Sequence, residues 1–336
     1  MRPHGSACII PLLSVLLIFS IVVAMTIGAY PVTLHGVWSS LARLWSGEGP
    51  QTAEERVLLS IRGPRVVAGI LVGASLASAG VVYQGLFRNP LVSPDILGVS
   101  AGAGLGAVLG IFLSLPLAAI QGLAFAGGLA TVGLVYVIAN AVRGRDPTLV
   151  LVLGGVVVGA LAGAAISLLK ILADPYDQLP AITFWLLGSL ASTRGAEITG
   201  ALPAVLIGLV PLILLRWRIN VLSLGDEEAR ALGIEAGRVR AVVIAAATLM
   251  TASVVAIAGV IGWVGLVIPH IARMIVGPNF ERLLPTAMLM GASYLLLVDV
   301  LARSIARIEV PIGILTAVVG APFFLWLLWR GRHGWS

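Results

Sequence analysis

The sequence predicts an all-α polytopic membrane protein with about ten transmembrane helices and both termini in the cytoplasm. Hydrophobic residues make up 59% of the 336 residues and charged residues only 11%, less than half of the roughly 25% that a soluble domain carries. The mean hydropathy is +1.06, and the apolar residues form runs close to the ~20 residues that span a bilayer as a helix. Basic residues, almost all of them arginine, flank these runs, as is typical of membrane topology.

Each apolar run is expected to be a helix, because hydrocarbon offers no partner to an unpaired backbone group. The first run could also be a cleaved signal peptide, but it is long enough to span and no A-x-A site follows it. No soluble domain fits between the runs, so residues 1–336 are expected to form a single transmembrane domain. The spans lie at approximately 9–30, 66–86, 96–114, 117–141, 149–172, 197–215, 240–260, 262–276, 284–304 and 311–329, and the eighth is short.

The basic residues orient the helices, because cytoplasmic loops carry an excess of arginine and lysine. With both termini inside, 13 of the 21 basic residues are cytoplasmic and the other eight lie at the outer side. The cytoplasmic set is Arg2, Arg88, Arg143, Arg145, Arg216, Arg218, Arg230, Arg238, Arg240, Arg273, Arg282, Arg330 and Arg332. The outer set is Arg43, Arg56, Arg62, Arg65, Lys170, Arg194, Arg303 and Arg307.

Two series of glycines recur every four residues, which places each series on one helix face. The first is Gly98, Gly102, Gly106 and Gly110, and the second is Gly155, Gly159 and Gly163. Small residues at this spacing let another helix backbone approach closely. We expect helix packing within the chain, with a dimer contact or a pore lining as the alternative.

Several kinds of site are missing from the sequence. The only lysine, Lys170, does not follow a glycine-rich loop, so the chain has no P-loop for ATP. The four histidines are scattered and predict no metal cluster, and Cys8 is the only cysteine. No basic run with stacking aromatic residues accompanies the net charge of +6, so nucleic acid is not expected as a partner. No catalytic, cofactor or metal site is therefore predicted, and the chain is not expected to be an enzyme.

The spans contain almost no ionisable residues, whereas ion-coupled transporters usually carry them. Asp299 is the main exception, and Arg303 follows it by four residues on the same helix face. A local Asp299–Arg303 pair explains the acid, with a direct role in transport as the alternative.

The cytoplasmic interval at 216–239 contains the most informative loop. Asp226 is predicted to cap a short helix of about seven residues, and Gly233 to take the left-handed position at its end. A second turn is expected at 235–238. Such a protrusion would fit a groove of a partner, although an ordinary capped loop helix has the same pattern. Its residues are Leu224, Gly225, Asp226, Glu227, Glu228, Ala229, Arg230, Ala231, Leu232 and Gly233.

The chain resembles a known family from about residue 57 to its end. Residues 63–107 read GPRVVAGILVGASLASAGVVYQGLFRNPLVSPDILGVSAGAGLGA, which is similar to the hallmark segment of the FecCD-type permeases of iron-siderophore, haem and vitamin B12 ABC importers. Residues 224–234 (LGDEEARALGI) resemble the coupling-helix loop of that family. Residues 262–273, 291–303 and 309–328 resemble its last three spans.

The resemblance implies ten spans, a dimer of permeases around a central path, two cytoplasmic ATPase subunits that hold the ATP, and an extracytoplasmic binding protein. It also implies that outer arginines face acidic residues of the docked binding protein, and the candidates are Arg62, Arg65, Arg303 and Arg307. Complementary charge of this kind speeds encounter and sets orientation.

The function expected from the sequence is a permease of the bacterial inner membrane that carries a metal chelate, with ferric siderophore as the first choice. Haem and vitamin B12 are alternatives within the same family. An ATP-independent secondary transporter would need paired ionisable groups at mid-span. A membrane enzyme would need a cluster of catalytic residues at one depth, which the sequence lacks.

Overall fold

A computed structural model of the protein describes residues 8–28, 30–47, 49–142 and 147–330, and these residues form helices and connecting turns with no strand. The predicted cytoplasmic arginines at 2, 143, 145 and 332 lie outside the described residues. In chain order, the α-helices are α1 (Ile9–Thr26), α2 (Leu34–Ser46), α3 (Ala53–Arg56), α4 (Gly63–Leu86), α5 (Val99–Phe112), α6 (Leu117–Ala141), α7 (Pro147–Leu172), α8 (Gln178–Leu186), α9 (Gly195–Leu214), α10 (Arg216–Leu222), α11 (Asp226–Ala231), α12 (Ala236–Ala258), α13 (Val264–Val276), α14 (Phe280–Ala302) and α15 (Ile312–Arg330).

The predicted class, an all-α polytopic membrane protein, is confirmed. Within the described ranges, seven helices are long and apolar enough to cross a membrane, namely α1, α4, α6, α7, α9, α12 and α14. Three shorter apolar helices, α5, α13 and α15, match the remaining predicted spans. The third span starts later than predicted, at Val99, because Pro94–Leu97 forms a 3-10 turn and Gly98 takes a positive φ of 79°.

Helices α4, α12 and α14 lie at the centre of the bundle and are mostly buried, whereas α1 and α7 are mostly exposed. The central helices approach each other through glycine. A Cβ atom on Gly73 of α4 would overlap the carbonyl of Gly291 on α14, and a Cβ on Gly291 would overlap the carbonyl of Gly73. Gly80 of α4 meets Gly265 of α13 in the same way. Such contacts let backbones pack where apolar burial gives helices no advantage over lipid.

The first glycine series lies against α6 of the same chain. A Cβ atom on Gly102 would overlap Thr131 and the carbonyl of Gly127, and one on Gly106 would overlap the carbonyl of Leu123. Gly98 and Gly110 face Thr131 and Ile120 at closer than ordinary contact distance. In the second series, Gly155 is packed against the carbonyl of Ile96, while Gly163 faces open space.

Short helices occupy the three longest intervals between predicted spans, of which the sequence predicted a short helix only in the third. Helix α2 and the start of a continuous helix fill the first, α8 the second, and α10 with α11 the third. Helix α3, a π-helical stretch at Val57–Arg62 and α4 together run without a break from Ala53 to Leu86. Thr52 starts this long helix with a capping box, in which it pairs with Glu55.

Because the Gly106 contact is made to backbone, replacing Gly106 with Leu should force α5 and α6 apart. Overpacking of this kind costs about 1–3 kcal/mol or more. Gly163→Leu is the matched control, since a side chain there meets nothing within 4 Å. The thermal unfolding temperature in detergent should fall for Gly106→Leu and stay near wild type for Gly163→Leu. Equal stability of the two variants would contradict this packing.

Candidate functional site

The loop at 216–239 contains a six-residue helix, α11, with a well-defined end. Gly233 adopts the predicted positive φ, 74°. The amide of Gly233 donates to the carbonyl of Arg230 at 2.9 Å, and the amide of Ile234 donates to the carbonyl of Ala229 at 2.9 Å. These two bonds form a Schellman motif, which satisfies carbonyls that the helix end would leave unpaired.

The predicted cap at the start of α11 is wrong. The helix already includes Asp226, and the residue before it is Gly225, with a φ of 150° and no side-chain cap. The Asp226 carboxylate instead accepts a hydrogen bond from Arg240 at 2.7 Å, which ties α11 to the start of α12. The expected second turn at 235–238 is also not separate, because α12 begins at Ala236.

The loop presents a small surface of mixed character. Ala229 and Ile234 are buried and hold α11 against the protein, whereas Leu224 and Leu232 are 63% and 56% exposed. A cavity of about 450 Å³ lies beside α11. Its lining includes Trp217 and Arg218 from α10 and Leu232, Glu235 and Arg238 from the loop and α12. Exposed apolar side chains surrounded by charged ones are typical of the surfaces through which proteins bind a partner.

At the other end of the bundle, a buried ion network joins α4, α14 and the segment before α15. Asp299 is 1% exposed. The Nε atom of Arg65 donates to both of its carboxylate oxygens, at 2.8 and 3.0 Å. The predicted partner, Arg303, forms an ion pair with Asp299 at 3.4 Å. Arg65 also pairs with Glu309, so one arginine bridges two acids.

The last carbonyls of α1 are bonded by two arginines of this region, Arg62 and Arg303. Arg62 donates to the carbonyls of Met25 and Thr26 at 2.6 and 3.0 Å, and to the carbonyl of Tyr30. Arg303 donates to the carbonyl of Ala24. The last carbonyls of a helix have no partner within the helix and form the negative end of its dipole. Two cations therefore satisfy the carbonyls at the end of α1.

The four arginines predicted for docking consequently have different surroundings. Arg62 and Arg65 are 4% and 8% exposed, and the side chain of Arg303 is also largely buried. Each of these three is bonded inside the protein, which accounts for its position without a docked partner. Arg307 is exposed. Docking by these residues stays a prediction, and the geometry favours Arg307 as the accessible member.

A third feature is a junction of non-helical backbone, where α8 and α12 end and α13 and α15 begin. Helix α12 ends at Ala258 and α13 begins at Val264, and both Gly259 and Trp263 have a positive φ. The residues after α8 pair with this break, since the amide of Ser189 donates to the carbonyl of Ala258 at 2.8 Å. The first amides of α15 donate to the carbonyls of Leu187 and Gly188, at 3.0 and 2.9 Å.

Helix α13 has 13 residues and is only about 20 Å long, short of the ~30 Å hydrocarbon core, so the junction at its start is expected to lie within the membrane. Irregular backbone is tolerated there only where protein buries it or where it lines a watery cavity. In transporters, interrupted helices of this kind mark the transport site. The junction is therefore the candidate wall of a path through the protein. The sequence predicted a boundary between two spans at 260–262 but not a junction with the residues after α8 and the start of α15, and Gly259 and Gly262 on either side of that boundary were its signal.

Among the residues that the structure describes, no group of three or more His, Cys, Asp and Glu is placed to hold a metal ion.

The comparisons with known proteins agree on one family. The model of the FecCD transport family matches residues 16–330. The molybdate import permease MolB of Haemophilus influenzae is 39% identical over 334 residues, which cover 99% of both chains. A permease of Helicobacter pylori named for iron chelatin transport is 45% identical over 276 residues, covering 82% of this chain and 83% of that one. A solved structure described as an inward-facing, metal-chelate type ABC transporter superposes with a TM-score of 0.86 and 39% identity, over 96% of this chain and 99% of that one.

Removal of Arg65 should destabilise this end of the bundle, because it leaves the buried Asp299 without the arginine that donates to both of its oxygens. Breaking a buried pair in this way costs about 3–5 kcal/mol. Arg307→Ala is the matched control, since Arg307 is exposed and surface changes are usually within about 0.5 kcal/mol. The measurement is thermal unfolding in detergent. A small effect of Arg65→Ala, equal to that of Arg307→Ala, would show that the network does not hold the helices.

Proposed function

The chain belongs to the FecCD transport family, whose members are multi-pass permease subunits of ABC importers, and from this we propose that it carries a ferric siderophore across the bacterial inner membrane. The proposal rests mainly on the extent of the family match and on the structure of the loop within it. The family match covers residues 16–330, and it includes the interval in which α11 forms a compact, glycine-terminated helix beside an exposed apolar rim. A transport subunit needs such a contact if another chain supplies its energy.

The proposed complex has two ATP-binding subunits on the cytoplasmic side. In each permease copy, α11 and its flanking residues, Leu224–Gly233, dock into one of them. Both termini then lie in the cytoplasm, and the ion network of Arg65, Asp299 and Glu309 lies at the outer surface. The permease binds no ATP or other cofactor itself. ATP-driven movement of the partners moves α11, and α12 transmits the movement because Asp226 is paired with Arg240 on its first turn.

The path is proposed to run along the junction of α8, α12, α13 and α15. One chain leaves α7 and α15 with large exposed apolar surfaces, which suits a second permease copy as well as lipid. We propose a homodimer in which the junctions of the two copies face a shared central path. Their non-helical backbone would then line a watery cavity, which is where such backbone is tolerated.

A substrate-binding protein is proposed to deliver the chelate at the outer surface, where Arg307 is accessible. Arg307→Glu should weaken this docking at low salt, and the loss should shrink at high salt because exposed charges are screened. Arg218→Glu, on the opposite side, is the control and should leave the affinity unchanged. Identical affinities of the wild type and Arg307→Glu at both salt levels would remove Arg307 from the interface.

Two observations bear on the substrate. The relative named for iron chelatin transport has the higher identity, 45%, which supports a ferric chelate. The molybdate permease matches over the full length of both chains, and this makes molybdate the second candidate. Haem and vitamin B12 remain alternatives from the family resemblance.

The test is uptake into proteoliposomes that contain the full complex with ATP inside. Ferric siderophore, molybdate, haem and vitamin B12 are offered in turn with the binding protein. The proposal expects uptake of the ferric siderophore and at least a tenfold lower rate for the other substrates. Uptake of molybdate alone would make molybdate the substrate in place of the ferric siderophore, and the chain would still be proposed as the permease of an ABC importer.

A change at Gly233 tests the coupling loop. Val at this position must adopt a left-handed conformation, which costs about 1–2 kcal/mol even for ordinary residues, so the end of α11 should unravel. Gly237→Val is the matched control, because Gly237 lies in the first turn of α12 and a side chain there meets nothing within 4 Å. We expect Gly233→Val to insert normally but to copurify with less ATPase and to transport less. Wild-type copurification and transport by Gly233→Val would refute the docking role of α11.

A further inference from the structure

Helix α2 packs on the protein through its polar side. Gly36 and Ser40 are buried, and a Cβ atom on Gly36 would overlap the carboxylate of Glu54. Arg43 forms an ion pair with Glu55 at 3.0 Å. Gly36, Ser40 and Arg43 lie on one stripe at a spacing of three to four residues, which is one face of a helix.

Polar contacts at the start of the long helix tie α2 to the rest of the protein. Glu54 accepts hydrogen bonds from the amide and the hydroxyl of Thr33, at 2.7 and 3.1 Å, just before α2 begins. Glu55 is 3% exposed and also forms the capping box with Thr52. The orientation of α2 is therefore fixed by Glu54 and Glu55.

The opposite face of α2 is apolar, and three of its described side chains are exposed. Leu34, Trp38 and Trp45 are 67%, 73% and 95% exposed. At ~100° per residue these three positions fall within about 40° of each other around the helix. The arrangement is the reverse of a helix on a water-soluble protein, which turns its apolar stripe inward and its polar face outward.

The surroundings of α2 favour lipid as the medium on this face. Only seven residues separate α2 from Thr26, the end of α1, and α1 is an apolar, mostly exposed span. The continuous helix from Ala53 to Leu86 has 34 residues, so it is about 51 Å long. Its first turns, which hold α2, thus project beyond the ~30 Å hydrocarbon core toward the headgroup layer.

The chemistry of the exposed face fits the same location. Trp is enriched at membrane–water interfaces, where its ring sits at the level of the headgroups. A helix with a Trp- and Leu-bearing face and a polar face lies in the plane of that interface. Arg43 is the only arginine or lysine of α2 and is paired with Glu55, so attraction to anionic lipid contributes little.

We propose that α2 is an interfacial anchor, which lies in the headgroup layer with Leu34, Trp38 and Trp45 in contact with phospholipid. It would fix the height of the start of the long helix in the membrane through Glu54 and Glu55. This inference does not depend on the substrate, on the ATPase or on which side of the membrane α2 occupies.

The chain permits a clean test, because Cys8 is its only cysteine. In a full-length Cys8→Ser background, single cysteines replace Leu34, Trp38 or Trp45 and are labelled with an environment-sensitive fluorophore. The control is Gln51→Cys, at an exposed position outside α2. Each protein is placed in phosphatidylcholine nanodiscs with and without a lipid that carries a nitroxide quencher near its headgroup.

The proposal expects blue-shifted emission and at least threefold stronger nitroxide quenching at positions 34, 38 and 45 than at 51. Adding phosphatidylglycerol should not change this, since the face carries no free cation. Quenching at all three positions no stronger than at 51 would overturn the proposal. Labels that are water-exposed in nanodiscs and become protected only when the substrate-binding protein is added would also overturn it, in favour of a protein contact. Leu34→Cys removes no tryptophan, so its result cannot come from a fold defect that the loss of a tryptophan causes. Size-exclusion profiles check that each variant is folded.

Discussion

The absence of water from the hydrocarbon core is the constraint on which the rest of this structure depends. A charge or a backbone group that cannot reach water must find its partner in the protein. Asp299 is accordingly held by Arg65 and Arg303, the carbonyls that end α1 are held by Arg62 and Arg303, and the break between α12 and α13 is paired with the residues after α8. Close glycine contacts then supply the packing that the hydrophobic effect does not supply between helices in lipid.

The same lack of water bears on how transport through this chain is powered. Its buried Asp299 is paired with Arg65 and Arg303, and its buried Arg62 is bonded to backbone carbonyls. Its central helices carry hydroxyl groups such as the Tyr83–Thr248 pair at 3.1 Å. Charges engaged in this way hold helices in position and do not provide a chain of free acids for ion coupling. In the proposed function, the energy therefore comes from partner ATP-binding subunits that dock at the short helix α11.

The sequence predicted the features that depend on local chemistry. Apolar runs located ten spans, and Gly233 was correctly assigned a left-handed conformation because few other residues tolerate it. Asp226 was misassigned, because its partner Arg240 lies 14 residues away and no local rule can choose between capping and an ion pair. Arg65 and Asp299 are 234 residues apart, so only the fold brings them together. Helix α2 was missed although the spacing of Leu34, Trp38 and Trp45 gave a signal, since its apolar face points away from the protein.

The central claim is that this chain is a passive path driven by ATP hydrolysis in other subunits. The most direct measurement compares uptake of the delivered substrate in proteoliposomes under two energy sources. One preparation holds the full complex with ATP inside and no ion gradient, and the other has a proton or sodium gradient but a hydrolysis-deficient ATPase. The account predicts uptake in the first and none above background in the second. Uptake driven by the gradient without hydrolysis would contradict it.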